Sequence, residues 1–289
     1  MGNEDRLNFD TKVVHGSKGY EEVTGAVSFP IYQSATFRHP GLYKTTGYDY
    51  SRLQNPTREE LENTIAILEN GSRGFAFSSG MAAVSTVIKL FRPGDNIIVS
   101  DDLYGGTYRL FEEIYGTFGI TFTYVDTSNL KLVENEIKTN TSAFFIETPT
   151  NPMMKVTDIA EIAWIAKSKG IVLIVDNTFL TPYYQRPLEL GADIIIHSGT
   201  KYLSGHNDTL AGFIVANDKS IIEKIQLIQK SEGAVLAPFD SWLLLRGIKT
   251  LAIRLDKQQQ NALQVARWLK AHKKVENVYY IGLEDHSGY

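Results

Sequence analysis

Ile194-Ile195-Ile196-His197-Ser198-Gly199-Thr200-Lys201-Tyr202 joins a short apolar, β-branched run to two hydroxyl residues, a glycine and an amine. The run reads as a buried strand of an α/β sheet, in which strands covered on both faces are near-continuously apolar. Burying an unpaired ammonium costs on the order of several kcal/mol, so a lysine just past such a strand calls for a reason. Open α/β sheets bind ligands outside the carboxyl ends of their strands, which makes Lys201 a candidate site residue.

Working outward, residues 57–216 alternate between helical periodicity and short apolar runs, the pattern of a βα series around a parallel sheet. The spacing predicts strands over Asn96–Ser100, Thr121–Val125, Ala143–Glu147, Val172–Asp176, Asp193–His197 and Phe213–Ala216. Helices are predicted over Ser79–Phe91, Tyr104–Tyr115, Asn129–Ile137 and Ile159–Ser168, and again over Ser220–Lys230, Phe239–Leu245 and Asp256–His272. Residues 1–56 are rich in Gly, Pro, Tyr and Thr with little periodicity, and read as an extended arm of the kind that wraps a partner subunit. Near the end, Val275–Ile281 reads as one more strand, followed by only a short polar tail; a lone strand cannot bury its face, so a truncated chain is expected.

With 289 residues, 43% hydrophobic and 21% charged, the composition is that of a globular protein. A net charge of -4 with no basic run argues against nucleic acid as a partner. The chain has no cysteine, which excludes disulfides, thiolate metal sites and a cysteine nucleophile. Met1–Arg6 lacks a signal-peptide plan and no apolar stretch approaches the ~20 residues of a membrane span, so a cytoplasmic protein without a membrane partner is expected. The six histidines are dispersed and no His-Glu-x-x-His run occurs, so no metal site is predicted and His197 and His206 are read as supporting residues.

Four clusters fall at predicted strand ends. Ser78-Ser79-Gly80-Met81 precedes an apolar helix, whose free amides and partial positive charge suit a phosphate, although Ser and Gly are also ordinary capping residues. Asp176-Asn177-Thr178 places a carboxylate directly after four apolar residues, where a protonated heteroaromatic nitrogen, a helix cap or a metal could partner it. Ser198, Thr200 and Lys201 offer two hydroxyls and an amine. Asp102-Leu103-Tyr104-Gly105-Gly106-Thr107-Tyr108 opens a helix with an aromatic ring suited to stacking or to packing. A phosphate cup, a stacking face, a carboxylate and a lysine together match the needs of pyridoxal phosphate. A nucleotide-binding α/β protein is the weaker reading, because neither Gly-x-Gly-x-x-Gly nor a Walker lysine motif occurs.

Over nearly its whole length the chain resembles the Cys/Met-metabolism family of pyridoxal-phosphate enzymes, which includes cystathionine γ-synthase, cystathionine β- and γ-lyases and methionine γ-lyase. The matching runs are Tyr50-Ser51-Arg52 with Asn55-Pro56-Thr57, Ser79-Gly80-Met81, Tyr104-Gly105-Gly106, Glu147-Thr148-Pro149-Thr150-Asn151-Pro152, Asp176-Asn177-Thr178, and His197 through Tyr202 into Gly205-His206. The resemblance implies a three-layer α/β/α fold of the aspartate-aminotransferase type (fold type I), with an N-terminal arm over 1–56, a cofactor-binding large domain over 57–247, and a linking helix with the start of an incomplete C-terminal domain over 248–289.

It also implies roles. Lys201 would hold the cofactor covalently and serve as general base, Asp176 with Thr178 beside it would keep the ring nitrogen protonated, and Tyr104 would stack on the ring. Ser79, Gly80, Met81, Ser198 and Thr200 would bind the phosphate, with Asn151 near the ring hydroxyl. Tyr50 and Arg52 would reach the phosphate of an adjacent subunit, giving a homodimer or homotetramer, and Asp49 with Tyr50 would meet the amine of the amino-acid substrate. In methionine γ-lyases of this family a cysteine follows Tyr-Gly, where this chain has Gly106. Cystathionine cleavage is therefore expected, ahead of synthesis by γ-replacement. The family's C-terminal domain carries the arginine for the substrate carboxylate; Arg246, Arg254 and Arg267 do not match it, so this length of chain is expected to bind cofactor and turn cystathionine over poorly.

Overall fold

The computed structural model describes residues 7–289; Met1–Arg6, including the segment read for a signal peptide, lie outside the described residues. The strands are β1 (Arg73–Phe77), β2 (Asn96–Ser100), β3 (Thr121–Val125), β4 (Thr141–Glu147), β5 (Val172–Asp176), β6 (Ile194–Ser198) and β7 (Gly212–Ala216). They form one sheet in the order β1-β7-β6-β5-β4-β2-β3. From β3 through β6 neighbouring strands pair in parallel, whereas β7 is antiparallel to both β6 and β1. The expectation of a parallel sheet thus fails at β7. A parallel return needs a crossover element, and residues 199–211 contain no helix, so the chain comes back beside β6 in the opposite sense.

The helices are α1 (Phe9–His15), α2 (Pro56–Leu68), α3 (Gly80–Ile88), α4 (Gly105–Arg109), α5 (Leu130–Asn135), α6 (Ile159–Lys169), α7 (Thr181–Tyr184), α8 (Lys219–Glu232), α9 (Pro238–Ile248) and α10 (Leu251–Lys270). The start of α2 is set by Asn55, whose side chain accepts from the amides of Thr57 and Arg58, with Pro56 at the first helical position. The predicted helix over Tyr104–Tyr115 is regular only through Arg109, then widens over Leu110–Ile114 and tightens over Tyr115–Phe118.

Strand alternation assigns the two faces. Ile98, Phe144, Ile146, Leu173, Val175, Ile195 and Phe213 pack with Leu61, Ile65 and Leu68 of α2 and with Ile162 and Ile165 of α6. Ile97, Val99, Phe145, Ile174, Ile194, Ile196 and Ile214 pack with Val84, Val87 and Ile88 of α3 and with Ile225 of α8. The product is a three-layer α/β/α architecture, held mainly by side chains such as Ile194, Ile195 and Ile196, each fully buried and contributing about 1.5–3 kcal/mol.

Two regions depart from this regularity. Residues 16–55 are irregular apart from isolated bridges such as Thr36 with Tyr50, and they expose Val23, Val27, Leu42 and Tyr43. The strand expected over Val275–Ile281 does not form: the segment is unpaired, and β-propensity without a neighbouring edge does not make a strand. Among the described residues no helix is long and apolar enough to cross a membrane.

Candidate active site

The carboxyl ends of β4, β5 and β6, on the face covered by α3, open into a cleft of about 470 Å³. Period-two alternation puts Glu147, Asp176, Ile196 and Ser198 on this face, and Glu147 pairs with Asp176 and Asp176 with Ile196 across adjacent strands. The cleft is lined by Ser79, Gly80, Met81, Tyr104, Asn151, Asp176, Thr178, Ser198, Thr200 and Lys201. All four sequence clusters therefore meet in one place.

Lys201 stands in the turn after β6, with its side chain exposed to the cleft rather than buried. The desolvation cost that first drew attention to it is avoided, because the sheet supplies the position and the cleft the solvent. Asp176 is half-buried at the last residue of β5, and its Oδ1 accepts from the backbone amide (3.0 Å) and the hydroxyl (2.5 Å) of Thr178. That hydroxyl also accepts from the amide of Ser198 at 2.8 Å, so one threonine ties the carboxylate to the end of β6. Burial raises the Asp176 pKa, while the Thr178 hydrogen bonds and the charge of His197 pull it down.

The end of α3 facing the cleft is capped by Ser79, whose Oγ accepts from the amide of Ala82 at 3.1 Å. Ser198 lies beside it: a Cβ on Gly80 would meet the Ser198 Cβ at 3.0 Å. The hydroxyl of Thr200, expected among the phosphate donors, lines the cleft but is engaged with Ala211, accepting from its amide at 3.1 Å and donating to its carbonyl at 3.3 Å.

Sequence reasoning missed Glu147, which also lines the cleft. Its two oxygens accept from the amides of Tyr104 (2.9 Å) and Asn151 (3.0 Å), so one carboxyl group anchors both loops over the cleft. Burial, and then the neighbouring Asp176, push its pKa up to about 8. The signal was present, since Glu147 ends an apolar run as Asp176 does. Met154, also in the lining, has φ 59°, a left-handed conformation unfavourable for a side-chain-bearing residue; Asp102 holds its loop by accepting from the Thr150 hydroxyl and the Met153 amide.

Tyr104 is half exposed at the start of α4, with its ring folded over Gly106. A Cβ at Gly106 would stand 2.3 Å from the ring, so the ring can take this place only above a glycine. The arm residues are elsewhere. Asp49 pairs with His39 at 3.1 Å, Arg52 lies over the Tyr50 ring at 5.3 Å and donates to the carbonyl of Lys230, and none of Asp49, Tyr50 and Arg52 lines the cleft of its own chain. No arginine among the described residues does so: Arg254 donates to the carbonyls of Tyr202 (2.9 Å) and Gly247 (3.0 Å), and Arg246 lines a separate cleft beside α1.

Comparison with known proteins gives this arrangement a family. The model of the Cys/Met metabolism PLP-dependent enzymes matches residues 10–289. A cystathionine γ-synthase/O-acetylhomoserine (thiol)-lyase of Bacillus subtilis is 54% identical over 273 residues, covering 94% of this chain and 73% of the relative. A cystathionine β-lyase of Lactococcus lactis is 50% identical over 279 residues, covering 96% of this chain and 73% of the relative. Among solved structures, the cystathionine γ-lyase from Lactobacillus plantarum complexed with L-serine superimposes with a TM-score of 0.95 at 47% identity, over 98% of this chain and 74% of that one. The chain belongs to the Cys/Met-metabolism family of pyridoxal-phosphate-dependent enzymes, with the fold type I architecture and the transsulfuration chemistry of that family.

Proposed function

We propose that the chain is a cystathionine lyase, cleaving a carbon–sulfur bond of its substrate by elimination. The observation that carries this reading is the convergence of Lys201, Asp176, Tyr104 and the start of α3 on one cleft. The chemistry of the donor set fits pyridoxal phosphate: an amine, a carboxyl group whose burial a cationic ring nitrogen would offset, and a capped helix start for the phosphate.

In this reading Asp176 would hold the ring nitrogen, Tyr104 would stack on the ring, Asn151 would serve the ring hydroxyl, and Ser79, Gly80, Met81 and Ser198 would hold the phosphate. Lys201 would supply the amine for covalent attachment. When bound, the cofactor supplies an electron sink for charge developing at the substrate Cα. The Lys201 amine would take the Cα proton, and for a γ substituent it would also move a second proton before the sulfur leaves. The Tyr104 hydroxyl would assist departure, and Glu147 anchors the backbone that carries it by accepting from the Tyr104 amide. Tyr50 and Arg52 of a second copy complete the phosphate site in a homodimer or homotetramer, a role supported by their lying outside their own cleft. Asp49 and Tyr50 then stand beside the substrate amine.

Product analysis tests the reaction. With pyridoxal phosphate and cystathionine, pyruvate, ammonia and homocysteine report β cleavage, and 2-oxobutyrate, ammonia and cysteine report γ cleavage. Cystathionine formed from an O-acyl-homoserine and cysteine, with no cleavage in the reverse assay, would overturn the lyase reading in favour of γ-synthesis. Asp49 before Tyr50, which resembles γ-synthases, is the feature that keeps this second reaction in the test.

A further inference from the structure

Behind the cleft lies a second polar cluster, and each of its strand-end members is the chain neighbour of a cleft residue. Thr148 follows Glu147, Asn177 sits between Asp176 and Thr178, and His197 sits between Ile196 and Ser198. The side chains of Asn177 and His197 meet Glu69, the residue that ends α2, on the opposite face of the sheet, and Thr148 joins them through its main-chain carbonyl. There Nε2 of His197 bonds Oε1 of Glu69 at 2.6 Å, both side chains being 0% exposed. The same oxygen accepts from the Asn177 side-chain amide at 2.8 Å. That amide also donates to the Gln185 carbonyl at 2.7 Å, and the Gln185 side chain donates to Asn177 Oδ1 (2.9 Å) and to the Thr148 carbonyl (3.1 Å). One continuous network thus ties the ends of β4, β5 and β6 together from behind.

Its energetics argue against a role confined to stability. Among the described residues Oε2 of Glu69 and Nδ1 of His197 have no hydrogen-bond partner, so part of the cost of taking these groups out of water is left uncompensated. Well-packed apolar side chains of similar volume would serve folding as well or better. What such a replacement would lose is directional bonding between three strand ends whose other faces carry Glu147, Asp176 and Ser198.

We propose that Glu69, His197, Asn177 and Gln185 are positioning residues, which fix the strand ends from the reverse face and thereby set the attitude of the bound cofactor between Asp176, Lys201 and the start of α3. This rests on the pyridoxal-phosphate reading of the cleft. A back network of this kind acts as outer-shell hydrogen bonds act at other built sites, by holding contacting groups to their productive geometry.

The test uses the full chain with pyridoxal phosphate, comparing wild type with Glu69→Gln, with the apolar double variant Glu69→Leu/His197→Leu, and with Lys201→Ala. Three quantities are read: melting temperature without cofactor, cofactor dissociation constant, and the visible circular dichroism of the bound cofactor, which reports how its ring is held. Glu69→Gln is expected to keep its melting temperature within a few degrees, to weaken cofactor binding about tenfold and to reduce the visible signal. The double variant, if it folds, is expected to match or exceed wild-type stability and lose more affinity; if it does not fold, Glu69→Gln decides alone. Wild-type affinity and an unchanged visible signal in Glu69→Gln would overturn the inference and leave the network a packing feature. Failure of the underlying reading is separate, because Lys201→Ala would then show the same visible band as wild type.

Discussion

The strand ends and the arm carry functional residues in opposite ways. At the carboxyl edge of β4, β5 and β6 each candidate side chain reaches the cleft within its own chain, held by bonds such as Thr178 to Asp176 and Glu147 to Tyr104. In the arm, Asp49 and the matching residues Tyr50 and Arg52 lie outside their own cleft, in a segment that also exposes apolar residues such as Leu42 and Tyr43. Regular structure places chemistry by local geometry. An irregular segment can place it only against another surface, here proposed to be a second copy.

Substitutions weigh the two regions against each other. Lys201→Ala is expected to lower kcat/KM by at least about 10³-fold, because it removes the group proposed as both attachment and proton carrier, and steady-state kinetics with cystathionine check it. Asp176→Ala should cost about 10²- to 10³-fold in the same assay with little change in melting temperature, as expected for a group whose charge acts on the reacting system. An effect of Arg52→Ala as large as either would break the division into principal and completing residues.

Glu147 provides a readout of the strand ends that needs no cofactor. Its folded-state pKa is raised to about 8, so its contribution to stability is fully present at low pH and is lost as pH rises from the ordinary carboxylate range through about 8. Asp176, raised mainly by burial, acts in the same direction. The stability of the cofactor-free chain, followed by thermal melts, should fall across that window by up to about 5 kcal/mol, and Glu147→Gln should flatten the slope. A slope unchanged in Glu147→Gln would remove Glu147 from the site's electrostatics.

Smaller effects sharpen the role of the arm. Arg52→Ala should weaken cofactor binding about tenfold, the scale of one charge-assisted hydrogen bond. At limiting cofactor, mixing Arg52→Ala chains with inactive Lys201→Ala chains under conditions that exchange subunits should then raise activity above that of Arg52→Ala alone, since some clefts would pair an intact lysine with an intact arm. No recovery, with exchange shown by mass spectrometry, would place Arg52 within its own chain's function. Gly106→Cys is the mildest case: the added Cβ displaces the Tyr104 ring and should reduce cofactor affinity about threefold, measured by titration.

Much of this was legible in the sequence because the chemistry sits at strand ends. The runs closing on Asp176 and on His197-Ser198 are short, apolar and β-branched, and the end of such a run is where a ligand-binding group belongs. What was not legible depends on pairing. The segment that forms β1, Arg-Gly-Phe-Ala-Phe, went unread because glycine weakens strand propensity; a Cβ at Gly74 would meet the Glu62 carbonyl oxygen at 2.3 Å, so the glycine serves a close approach to α2. The direction of β7 is invisible in its apolar run, which looks the same parallel or antiparallel. Val275–Ile281 showed the converse error, propensity without an edge to pair with. The network behind the cleft was hidden for a related reason: Glu69 is 128 residues from His197, and only folding brings them together.

The most direct test of the central claim, that the strand ends assemble a site around Lys201, is to reduce the chain loaded with pyridoxal phosphate with borohydride and map the modified residue by peptide mass spectrometry. Stoichiometric labelling at Lys201 is predicted. Stoichiometric labelling at another lysine, or scattered labelling without preference for Lys201, would contradict it.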